Sequence, residues 1–174
     1  MRALTSITFV YEPREDRILA AVNAGHPDAW SCWLTRRLAL ALLERTTEYL
    51  TSRSDLAQRA PADLRGELIA FERDAAIAKT AGAMTNTPPA VLKASATGAE
   101  LAQRLTISPH GDGFRLELRG QAEEGAAGTF TRAELQRTLQ MLQAVVAKAG
   151  WLGTPAGSQA ALPAAATDPK PARH

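Results

Sequence analysis

Arginine stands at two helix starts where an acid would be expected. Arg36 and Arg37 follow Thr35, and Arg132 follows Thr131, each at the point where an apolar helical period begins. A threonine hydroxyl there accepts a hydrogen bond from an orphan N–H of the first turn. The helix dipole favours negative charge at that end, so each arginine should cost about 0.3–1 kcal/mol. Arginine beside exposed backbone N–H groups is a combination suited to phosphate or carboxylate. A broken local rule can mark a site. Only the second start carries a compensating acid, Glu134, spaced for a capping box with Thr131. The plainer expectation is that nearby acids such as Asp28 or Glu15 neutralise these arginines.

Other chemistry is thinly supplied. Trp30 and Trp33 flank Cys32, the single cysteine, and could serve as an interface anchor or a stacking platform. Cys32 itself reads as a small buried hydrophobe, because a reactive thiol needs an accessible, electropositive setting. His26, His110 and His174 fall in a loop, a turn tip and the tail, without ligand spacing, so no metal is expected. The acid pairs Glu15-Asp16 and Glu123-Glu124 are neighbours on turns and are not arranged to share a proton. Gly111-Asp112-Gly113 is hairpin-turn chemistry, too short for a phosphate loop. No cofactor and no catalytic residue follows. Arg115 and Arg119 add basic groups along a hairpin strand, and with Trp30, Trp33, Arg36, Arg37 and Arg132 they make up the expected partner-binding set.

The elements that must position these residues repeat. Ile7, Phe9 and Tyr11 share one face of a strand, a charged turn follows at residues 12–16, and 17–22 returns as a second strand. Residues 29–33 read as a short third strand, and the helix opened by Thr35 carries Leu38, Leu42 and Tyr49 at helical spacing. In the second copy Leu105 and Ile107 alternate with polar residues. After the turn, Phe114, Leu116 and Leu118 alternate with Arg115, Glu117 and Arg119. A helix follows, with Leu135, Leu139, Leu142 and Val146 on one stripe and Gly150 as its stop. Between the copies, residues 53–82 read as a helical insert with Leu64, Leu68, Phe71 and Ala75 on one stripe, and residues 83–99 as a loop. Residues 153–174 are rich in Ala and Pro and read as a disordered tail.

The expected fold is α+β: an antiparallel sheet with helices on one face, built from two ββ(β)α halves, 1–52 and 100–152, related as a pseudo-repeat within one domain of residues 1–152. The order of elements in the halves is loosely similar to that of the Whirly and PUR-type folds, and that similarity implies single-stranded nucleic-acid binding; the insert and tail have no counterpart in it.

The chain has 174 residues, of which 45% are hydrophobic and 22% charged, and a net charge of +2. That composition is globular and only mildly basic, short of a dense nucleic-acid-binding field. No apolar run is long enough for a signal-peptide core or a membrane span, and one cysteine excludes an internal disulfide, so a cytoplasmic setting without membrane contact is expected. The function expected is that of a non-enzymatic accessory protein acting through protein–protein contacts, a homo-oligomer through its free strand edges. The alternative is single-stranded DNA or RNA binding through the arginines. An enzyme is the third choice.

Overall fold

Phe114, Leu116 and Leu118 are buried in the computed structural model, while the intervening Arg115, Glu117 and Arg119 are half-exposed, as their alternation requires. The structure describes residues 1–54, 59–80, 87–122 and 124–152. These form an α+β protein with two four-stranded mixed sheets. In sheet I, β2 (Ile7–Glu12), β3 (Arg17–Val22) and β4 (Trp30–Leu34) are antiparallel, and β5 (Glu100–Leu101) runs parallel to β4. In sheet II, β6 (Arg104–His110), β7 (Gly113–Arg119) and β8 (Gly125–Phe130) are antiparallel, and β1 (Arg2–Ala3) runs parallel to β8. The described helices are α1 (Arg36–Ser52), α2 (Arg65–Thr80), α3 (Pro89–Thr97) and α4 (Arg132–Lys148). None is long and apolar enough to cross a membrane.

One core cluster joins both sheets to α1 and α4. Ile18, Val22, Cys32 and Leu34 come from sheet I, Leu116, Leu118 and Phe130 from sheet II, and Leu42, Leu135, Leu142 and Val146 from the helices. Thr35 caps α1 by accepting from the Leu38 N–H, and Thr131 and Glu134 form a complete capping box on α4. At the far end of α4, Gly150 adopts φ +69°. The Gly150 and Trp151 N–H groups donate back to the Ala147 and Val146 carbonyls, which is a Schellman stop.

Three expectations are corrected. There are two mixed sheets, not one antiparallel sheet, because the two-residue strands β1 and β5 each join the meander formed by the other part of the chain; strands so short carry no readable period. Helices do not keep to one face. Part of the stretch read as a loop at 83–99 is α3, with Pro89 at its first position, and it lies on the outer face of sheet I. Ser31 points away from its core-facing neighbours Trp30 and Cys32, and its hydroxyl donates to the Ser95 carbonyl at 2.6 Å. Separately, α2 lies within the expected insert, and of its stripe Phe71 is 71% and Leu64, just before the helix, 44% exposed. Residues 55–58 and 81–82 of the insert, 83–86 of the loop and the tail from 153 lie outside the described residues.

A buried asparagine holds the corner from which β1 departs. Asn23 is 1% exposed and takes φ +49°. Its Oδ1 accepts from the Thr5 and Ser6 backbone N–H groups and from the Thr5 hydroxyl, while Nδ2 donates to the Ala3 carbonyl and to Asp28. Asp28, one expected partner of the helix-start arginines, is thus engaged here. Beside this corner, Leu4 N–H donates to Ala127, and a Cβ at Gly128 would collide with the Leu4 carbonyl, so glycine is what admits β1 to the sheet. Asn23→Ala orphans two backbone donors at about 1–3 kcal/mol each. We expect urea denaturation to show a loss of at least about 2 kcal/mol, against under about 0.5 for Thr129→Ala on the exposed sheet face.

Candidate functional site

Each arginine at a helix start braces the end of the other helix. Arg132, opening α4, donates to the Leu50 carbonyl in the last turn of α1 at 2.8 Å, and Arg36, opening α1, donates to the Trp151 carbonyl just beyond α4 at 3.2 Å. The two helices therefore run antiparallel. A cation misplaced at its own helix N-terminus is well placed at its neighbour's C-terminus, where unsatisfied carbonyls carry the negative end of the dipole. Arg132 also binds Glu72 of α2 at 2.7 Å, and the second oxygen of that carboxylate accepts from the Ser54 hydroxyl. The expected pairing of these arginines with Asp28 or Glu15 is replaced, for Arg36 and Arg132, by the helix-end carbonyls and Glu72. Two of them serve packing, and Arg37 is exposed, with no hydrogen bond or ion pair among the described residues.

The tryptophans also separate, since three positions apart on a strand means opposite faces. Trp30 is buried and donates from Nε1 to Glu100 at 2.8 Å, whose other oxygen accepts from the Ala122 N–H. Trp33 is half-buried on the outer face, opposite Leu19 and Leu101. They form no paired platform. Cys32 is fully buried, and burial, with the Glu100 charge adding to it, pushes its thiol up to about 12. It is no nucleophile at neutral pH. His26 and His110 are exposed, and the described residues contain no group of three metal-ligating side chains.

Arg115 and Arg119 do lie together, on the outer face of sheet II. Arg115 donates to Glu117 at 2.8 Å, and Arg119 sits 3.8 Å from the same carboxylate. The Arg115 hydrogen bond, more than the nearby arginine charges, holds the Glu117 carboxyl below its ordinary value. Arg104 pairs across from Arg119 in the ladder, and the row on β8 is small: Gly125, Ala127 and Thr129. Arg104, Thr106 and Thr129 are exposed, so this face is open and mildly basic.

Two apolar grooves were not foreseen. They flank α1 on its solvent side. One, of about 520 Å³, lies against β6 between Leu38, Tyr49 and Leu105. The other, of about 510 Å³, lies against α4 between Leu40, Leu43, Leu139 and Leu152. Gln136 lines the second and is buried, with its amide Nε2 lacking a hydrogen-bond partner among the described residues. A signal for them existed in the sequence: residues 38–43 are all apolar, more than one helix face needs.

A test of the two arginine roles is stability. Arg132→Met strands the Glu72 carboxylate and should cost about 1.5–3 kcal/mol in urea denaturation, while Arg36→Met, losing one carbonyl contact, should cost about 1. For Cys32, iodoacetamide at pH 8 should label only unfolded chain. The thiol ionises near 9.0 when unfolded and about 12 when folded, so its contribution to stability is constant below pH 9 and falls as pH rises between those values. No protein-family model, curated protein or solved structure matches this chain, so its reading rests on its own residues.

Proposed function

We propose that this chain is a non-enzymatic accessory protein of the cytoplasm that works by docking another polypeptide on its helical layer. The observation that carries the reading is the groove between α1 and α4, walled by Leu40, Leu43, Leu139 and Leu152 and lined by the unpaired Gln136 amide. A buried donor without an acceptor costs about 1–3 kcal/mol. An occupant that brings a carbonyl or carboxylate removes that cost and covers the leucines. Phe71 and Leu64, exposed on and beside α2, extend the apolar character of the same layer.

The second reading, single-stranded nucleic-acid binding, is favoured by the open face of sheet II with Arg104, Arg115 and Arg119. The runs β1-β2-β3-β4-α1 and β5-β6-β7-β8-α4, read as a pseudo-repeat, support the similarity to Whirly and PUR-type folds. Against it stand Glu117 between the arginines and a face with no Phe, Tyr or Trp ring among its described residues for a base to stack on.

Photo-cross-linking residues placed at Thr47, on the rim of the groove, and at Thr129, on the sheet face, separate the two in living cells. Adducts to polypeptide at Thr47 are expected. Adducts to nucleic acid at Thr129 with none at Thr47 would reverse the order of the readings. Gln136→Leu adds a signature with opposed signs: the free chain should gain about 1 kcal/mol because an orphan donor is removed, while the Thr47 adduct weakens.

A further inference from the structure

We infer that the solvent face of α1 is a two-fold self-interface, on which a second copy of this chain lays its own α1 antiparallel. This rests on the reading of the helical layer as a docking surface and names the partner. The first ground is apolar surplus. Residues 38–43 wrap α1 with six consecutive apolar side chains, yet of these only Ala39 and Leu42 are buried. Leu38, Leu40 and Leu43 pack against the margins of the core and keep part of their surface toward the two grooves, so the apolar strip reaches the solvent side only at their edges and at Ala41.

The second ground is shape. Ala41 is exposed and lies between the groove against β6 and the groove against α4. A residue with no side chain beyond Cβ lets a second helix approach closely, with its ridge seated in the flanking groove.

The third ground is charge. Arg37, Glu44, Arg45 and Glu48 share the exposed surface with Ala41; at 100° per residue Arg37, Glu44 and Glu48 fall to one side of it and Arg45 to the other. At a rise of about 1.5 Å per residue, Arg37 stands about 6 Å to one side of Ala41, and Glu44 and Glu48 about 4.5 and 10.5 Å to the other. An antiparallel helix crossing at Ala41 therefore sets the second copy's Arg37 between Glu44 and Glu48 on their side of the stripe, with Arg45 level with it on the other side, and symmetry repeats the contact. Arg37 has no partner among the described residues, and Glu48 has only a loose, exposed contact with Arg45 at 3.5 Å. A parallel crossing would set like charges together.

Sedimentation velocity of the full chain tests the inference. A dimer that weakens with added salt is expected, because exposed ion pairs are screened. Arg37→Glu alone, and Glu44→Arg with Glu48→Arg, should each weaken it by about tenfold or more, and the triple variant should restore most of the loss. Ala41→Cys should form an intermolecular disulfide under mild oxidation, with Cys32 buried and silent. A wild-type chain that stays monomeric at 100 µM, on the order of the weakest self-association of use, overturns the inference. So does a triple variant as weak as Arg37→Glu, or a dimer that Ala41→Cys does not trap. A monomer whose Thr47 cross-links to a different protein overturns the inference alone and leaves the docking function standing.

Discussion

The reciprocal contact between helix ends is the constraint that the rest of the structure depends on. Arg132 reaches the Leu50 carbonyl and Arg36 reaches the Trp151 carbonyl, so α1 and α4 are fixed antiparallel and in register at both ends. Each sheet contributes one face to the core, and neither could bury that face without these helices lying across it. Glu72 extends the brace to α2 by holding Arg132 and Ser54 at once. Trp151 extends it to the first hairpin: its Nε1 donates to Asp16, and its ring meets Tyr11 edge-on at 5.7 Å. The Tyr11 hydroxyl donates to the same Asp16 oxygen, and that hydrogen bond, with smaller contributions from burial and charge, raises its ionisation above the ordinary value.

The exchanged edge strands do for the sheets what the arginines do for the helices. β1 leaves the first meander to pair with β8, and β5 precedes the second meander yet pairs with β4, so neither meander is complete on its own. Polar groups at the two departures, one buried and one half-buried, keep them in place. Asn23 satisfies the turn between β1 and β2, and Glu100 ties Trp30 to the 120–122 turn. These are hydrogen-bonded networks whose members are costly to orphan.

Legibility followed period and caps. β7 alternates over seven residues and could be read directly; so could both threonine caps and the Gly150 stop. β8, Gly-Ala-Ala-Gly-Thr-Phe, has too little contrast between its faces, and β1 and β5 are two residues each, so the two-sheet arrangement was hidden. The arginines at the helix starts break a local rule that the sequence displays, but their compensation comes from residues 115 and 82 positions away in sequence. A long-range contact of that kind leaves no local mark. Phe71 marks a different limit: its helical spacing is real, yet spacing says that a stripe exists and not which body covers it.

That distinction bears on α1 most of all. Its stripe of buried residues, Ala39, Leu42, Thr46 and Leu50, satisfies the requirement of an amphipathic helix, while Leu38, Leu40 and Leu43 pack only at the margins of the core and Ala41 is exposed between them. Exposed apolar side chains with no structural role lower solubility and invite association. Here they sit between Arg37 on one side and Glu44, Arg45 and Glu48 on the other, and the proposed antiparallel contact draws its orientation from that unequal distribution. Surface selected only against aggregation would interrupt the apolar run with charge; polarised charge beside an intact run is what a specific, oriented contact requires.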